Sequence, residues 1–326
     1  MNPTEQTSAV YEPLWYQEQR RIQKTGNFLG GLILALLIAE VAVSIGLTVA
    51  AIFNGWDISR SDYGLGNTRF VLLNVLVYIL FLVVPTTLIS LLSRRKMNAF
   101  PARRVNGAMF TVCVAGGMAL AILSNVVTDF LVTGMEALGV PLPEFPETVE
   151  PTVLSLLLNI FATAVLPAFV EEWIFRGIVF GRLRVHGDGL AIVFSAFLFG
   201  LFHGNVVQLP FAFLLGLVLA YTVALTDSIW PAVVLHGANN LMSVCLSFAG
   251  LFLSDKVYNT LIMLVFLVVT TAGVTALIPL LVHHKRTLPP VGNGLSCFSV
   301  GQRFGKVLFS PAMLVAVLAM LVMVLL

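Results

Sequence analysis

The chain has 326 residues, 58% of them hydrophobic and 10% charged, with a formal net charge of +2 and a mean hydropathy of +0.97. That balance excludes a soluble domain and describes a polytopic membrane protein, with no nucleic-acid partner expected. Cys113, Cys245 and Cys297 lie far apart, with no CxxC, so neither a disulfide nor a zinc knuckle is indicated and all three read as small buried apolar residues.

Residues 1–27 are polar and read as a cytoplasmic N-terminal tail. The apolar run after them is too long for a signal-peptide core, so it is taken as a retained first span. Nine runs long enough to cross a bilayer follow in order, at about 28–53, 70–92, 107–133, 152–181, 189–206, 208–226, 229–252, 257–282 and 308–326. The expectation is an all-α, polytopic transmembrane helical bundle of about eight to nine spans with a membrane-embedded cavity. Residues 28–150 supply about three N-terminal helices, and 151–252 a core of about four spans. Residues 253–326 carry the C-terminal spans and a basic cytoplasmic loop, the ninth run being the one candidate for an addition outside the working core.

Basic residues orient the bundle. Arg20, Arg21 and Lys24 precede the first run, and Arg94, Arg95, Lys96, Arg103 and Arg104 separate the second from the third. Arg182 and Arg184 follow the fourth, and Lys285, Arg286, Arg303 and Lys306 precede the ninth. If each run crosses once, all lie on one side, which is then cytoplasmic, as is the N-terminus. The 134–150 loop, with Glu136, Glu144, Glu147 and Glu150, falls on the other side. The localisation expected is the plasma (cytoplasmic) membrane if the source is bacterial.

Charges inside an apolar run cost roughly 2.5–3.5 kcal/mol each by insertion scales, so they mark a job or a partner. The fourth run ends in Glu171-Glu172-Trp173-Ile174-Phe175-Arg176. Glu172 and Arg176, four apart with the acid first, suit an ion pair, and Glu171 points about 100° away, free to meet other helices. Pro167 sits one turn earlier and can kink the helix. The fifth run carries Phe199-Gly200-Leu201-Phe202-His203, and the seventh His236-Gly237-Ala238-Asn239-Asn240, where His236 and Asn240 share a face. A hairpin about Gly187 brings Glu171 and His203 to one level, and helix rise allows His236 to join them.

These three stretches resemble the signature motifs of the CPBP family of intramembrane proteases, which includes the type II CAAX prenyl endopeptidases: Glu-Glu-x-x-x-Arg, Phe-x-x-x-His and His-x-x-x-Asn, in this order on successive helices. All three are matched, over about residues 150–245. The resemblance implies Glu171 as the base that activates water with His203 helping to hold it, and His236 and Asn240 stabilising the oxyanion. Glu172 and Arg176 would fix the helix and the carboxylate from behind; for that pair a structural ion bridge is the plainer reading.

Members of this family are commonly called metalloproteases, and metal-free, glutamate-dependent catalysis is argued as well. Glu171, His203 and His236 would be the zinc set, and the sequence leaves both schemes open; no HExxH is present. The implied partners are the bilayer and a peptide or lipidated protein. Two other classes fit an apolar chain with buried charges: a non-catalytic bacteriocin-immunity or scaffold relative, and a proton-coupled transporter, against which stands the lack of any inverted repeat. Among the remaining polar residues, Glu40, Asn125 and Asp129 either line the cavity or pair elsewhere. Phe199 reads as packing, Gly177, Gly200 and Gly204 as close helix contacts, Asp227 or Ser228 as a helix cap, and His186, His283 and His284 as flank residues.

Overall fold

The computed structural model describes residues 12–60, 62–92, 101–140, 142, 150–283 and 296–325. Arg94, Arg95, Lys96, Glu144, Glu147, His284, Lys285 and Arg286 lie outside them. All described elements are helices: α1 Leu14–Phe53, α2 Asn67–Leu91, α3 Gly107–Ala137, α4 Val153–Arg184, α5 Asp188–Phe202, α6 Gln208–Thr226, α7 Trp230–Gly250, α8 Asp255–His283, α9 Val300–Leu308 and α10 Pro311–Leu325. Seven of these, α1 to α4 and α6 to α8, are long and apolar enough to cross a membrane, or up to eight if the bent pair α9–α10 is one span. The protein is an all-α integral membrane protein.

Three predicted runs differ in detail. Helix α1 begins at Leu14, well inside the polar tail, because Pro13 is followed by helix-compatible residues without a breaker. Its buried positions Ile22, Gly26, Leu29, Gly30, Ile33 and Leu37 form one stripe, which faces α10. The approach is close: a Cβ on Gly30 would fall 2.2 Å from the Met313 backbone nitrogen.

The fifth predicted run, to residue 206, stops at Phe202. Gly204, with φ of +65°, turns the chain, and Asn205 Oδ1 then accepts from the Gln208 N–H at 2.7 Å to start α6. Helix α5 therefore has 15 residues, about 22 Å of rise, too short to cross the hydrocarbon layer alone. It is almost wholly buried, so neighbouring helices supply its surroundings. Gly204 is thus a turn residue and not the expected helix contact, whereas Gly200 is one: its Cβ would meet Phe213 Cβ at 3.1 Å and Leu209 O at 3.2 Å.

The predicted ninth run begins inside α9, and the chain bends by 81° before α10. Ser299 and Gln302 cap α9 reciprocally, and Pro311 opens α10. Far from standing aside, α10 packs on both α1 and α5, burying Met313, Ala316, Val317 and Met320. The core centres on α5 and α6, which α4, α7 and α3 flank. Asp227, with φ of +53°, ends α6 and pairs with Arg184 at 2.5 Å, and Ser228 Oγ accepts from the Trp230 N–H at 3.4 Å. The N-cap position itself is Ile229, without a side-chain cap bond, so neither Asp227 nor Ser228 is the expected cap. Cys113 is buried as expected; Cys245 and Cys297 are exposed.

Candidate active site

Helix α4 is irregular where its charges lie. Two π-helical turns, Ile160–Val165 and Trp173–Phe180, bracket the short α-helical piece Leu166–Glu172 that ends on the acid pair. Each wide turn shifts the following residues round the axis, which lets successive parts of one helix address different neighbours. Pro167 opens the α-helical piece directly after the first wide turn.

Glu172 and Arg176 form the expected ion pair, Oε1 to Nη1 2.7 Å, both side chains 0% exposed. Arg176 Nη2 also donates to the Gly216 carbonyl on α6 at 3.1 Å, and its guanidinium stacks over the Phe199 ring at 4.4 Å. The pair is tied into the site as well as the fold: Glu172 Oε1 lies 3.0 Å from His236 Nδ1. An ionised carboxylate only accepts, so Nδ1 carries the imidazole proton and Nε2 is left for the other side of the ring. There it stands 3.9 Å from Glu171 Oε2. One imidazole on α7 thus spans the two neighbouring glutamates, which point apart as adjacent helix positions must.

His203 is the residue that ends α5. Its Nδ1 is 2.7 Å from the Phe199 carbonyl, which again places the proton on Nδ1 and leaves Nε2 as an acceptor. Asn240 Nδ2 donates to Thr163 O at 2.9 Å, a carbonyl in the first π-helical turn of α4, and its amide keeps a second N–H. Glu171, His203, His236, Asn240, Thr163 and Phe199 line one cavity of about 270 Å³. Phe199 is more than packing, since its ring stands edge-on to both His203 (4.8 Å) and His236 (5.8 Å) while carrying Arg176 on its face. Glu40, Asn125 and Asp129 do not line this cavity.

The zinc set is not assembled. Among the described residues, no three of His, Cys, Asp and Glu stand close enough to hold a metal ion. Both Nδ1 atoms are held, by Glu172 and by the Phe199 carbonyl, which leaves each Nε2 open, and Glu171 Oε1 accepts from a residue outside the three motifs. That residue is Tyr78 of α2, whose hydroxyl donates to Glu171 Oε1 at 3.0 Å. Sequence reasoning passed over Tyr78 and Thr163. The signal for the tyrosine was faint, one hydroxyl in an apolar run, and for Thr163 nil, because its backbone carbonyl is the group used.

An apolar helical bundle in which one carboxylate, two imidazoles and an amide line one pocket, with the Glu172 carboxylate buried behind His236, is that of an integral membrane protein with a polar interior site. Residues 153–242 match the family model described as Type II CAAX prenyl endopeptidase Rce1-like, which bears out, for this segment, the CPBP resemblance of the three motifs. The match is to this segment alone, less than half of the chain. Comparison with curated proteins and with solved structures finds no match.

Proposed function

We propose that the protein is an intramembrane endopeptidase that hydrolyses a peptide bond of a membrane-associated or lipidated protein or peptide. The observation that carries this is the gathering of Glu171, His203, His236 and Asn240 around one cavity, with Glu172 and Arg176 holding His236 from behind. Glu171 takes a proton from a water that His203 Nε2 helps to hold, and the resulting hydroxide adds to the scissile carbonyl. The free N–H of Asn240 donates to the oxyanion so formed, joined by Nε2–H of His236 when that ring is protonated. Glu171 then returns its proton to the leaving amine, which balances the reaction.

The positive-flank pattern supports an N-terminus in the cytoplasm, with the plasma membrane as the location in a bacterial source. The test uses purified protein in nanodiscs with a fluorogenic prenylated CAAX peptide, together with membrane-peptide profiles of cells carrying wild type or Glu171→Gln. Glu171→Gln and His203→Ala are each expected to abolish cleavage with expression and insertion intact. Normal cleavage by both variants would refute the assignment.

A further inference from the structure

The two oxygens of the Glu171 carboxylate have different neighbours. Oε2 stands 3.9 Å from His236 Nε2, and Oε1 accepts the 3.0 Å hydrogen bond from Tyr78. Tyr78 comes from α2, outside the matched residues 153–242. Its half-buried ring is braced edge-on by Phe81 at 5.6 Å, so the phenol is held by packing at its side and by a bond at its tip. A π-helical turn, Ile79–Val83, begins at the next residue; such wide turns recur where a helix must aim a side chain at a site. A buried hydroxyl needs a partner, a demand that phenylalanine in the same place would not make.

We propose that Tyr78 is a positioning residue for the hydrolytic base, a role that rests on the reading of Glu171 given above. By tethering Oε1, the phenol stops rotation of the carboxylate about its last torsion and leaves Oε2 to take the proton of the water that His203 helps to hold. Orientation of this kind carries a large share of catalysis, and small displacements of a base are expensive in rate. Tyr78 does not itself line the cavity, so it acts through Glu171 and not on substrate. The consequence is that the catalytic unit extends beyond the matched segment: α2 is part of it.

The test uses the full chain in nanodiscs with the fluorogenic prenylated CAAX peptide. Tyr78→Phe is expected to lower kcat of the folded protein about tenfold or more with KM unchanged, as loss of the bond that orients the base implies. Fluorotyrosine at position 78 keeps the hydroxyl and is expected to keep the rate within about threefold. A merely structural tyrosine would instead lower the thermal midpoint and leave kcat of the folded protein alone. Independently of turnover, labelling of Glu171 by dicyclohexylcarbodiimide, read by mass spectrometry, is expected to run several-fold faster in Tyr78→Phe, because Oε1 is then uncovered. An unchanged kcat overturns the proposal. If wild type and Glu171→Gln are equally inert towards the peptide, the protease reading fails for that substrate, and unchanged labelling then overturns the role of Tyr78 by itself.

Discussion

Replacing Arg176 by methionine is the sharpest probe of how the site is held together. The guanidinium is 0% exposed, lies 2.7 Å from an equally buried carboxylate, and makes a second bond to the Gly216 carbonyl. Removing one partner of such a pair strands the other charge, at a cost of about 3–5 kcal/mol, or roughly 10²- to 10⁴-fold in the unfolding constant. Replacing both, as in Glu172→Leu/Arg176→Met, leaves no stranded charge. What remains is the unsatisfied His236 Nδ1–H, 3.0 Å from where Glu172 Oε1 was, at about 1–3 kcal/mol. The double variant is therefore expected to be the more stable of the two. Both should nevertheless lose cleavage: the double variant lacks the acid that fixes the His236 ring and its tautomer, and Arg176→Met strips that acid of the guanidinium that positions it. Thermal unfolding in mild detergent, followed by tryptophan fluorescence with Trp173 beside the pair, reads the first quantity, and peptide cleavage the second. If Arg176→Met unfolds with the wild type, if the double variant is the less stable, or if it cleaves at the wild-type rate, the reasoning fails.

Two further outcomes concern the scaffold. Gly273→Val would put a Cβ 2.4 Å from Ala115 O and 2.5 Å from Ala119 Cβ, forcing α8 off α3; a loss of about 1–3 kcal/mol in the same unfolding assay is expected, while Gly46→Ala, with nothing within 4 Å, changes little. His186, in the α4–α5 turn, has its pKa lowered from 6.5, by burial first and then by Arg303 and Arg21, with Glu18 opposing. The unfolded chain then binds the proton more readily, so its contribution to stability is present above about pH 6.5 and is lost as pH falls below that. The thermal midpoint should drop between about pH 7.5 and 5.5, and His186→Gln should shrink that drop; an identical drop in the variant would rule out His186 as its source.

The three motifs were legible because their chemistry is local: a charge in an apolar run is conspicuous, and an acid four residues before an arginine on a helix needs no tertiary knowledge to be paired. Helix number and order were legible for the same reason, since bilayer thickness sets run length. Ends were less so. Hydropathy continues through Leu201-Phe202-His203-Gly204, and only the left-handed glycine with Asn205 after it decides that α5 stops there. The bend between α9 and α10 lies at Phe309-Ser310-Pro311, where proline marks the break but composition cannot fix its angle.

Long-range polar contacts were hidden altogether, and they are what turns a set of motifs into a site. Glu171 is held by a tyrosine 93 residues away, and Asn240 is held by a carbonyl 77 residues away that a π-helical turn presents. Both partners come from places where a helix departs from regular α geometry, and such departures leave no mark on hydrophobic periodicity. The irregular turns in α2 and α4 are therefore a structural cost that the site accounts for: a regular α4 could keep Glu172 on Arg176, but it would rotate Thr163 relative to the acid pair by about the 100° that one inserted residue supplies. Deleting one residue within Ile160–Val165 should accordingly separate Asn240 from its acceptor and abolish cleavage while Glu172 and Arg176 stay paired.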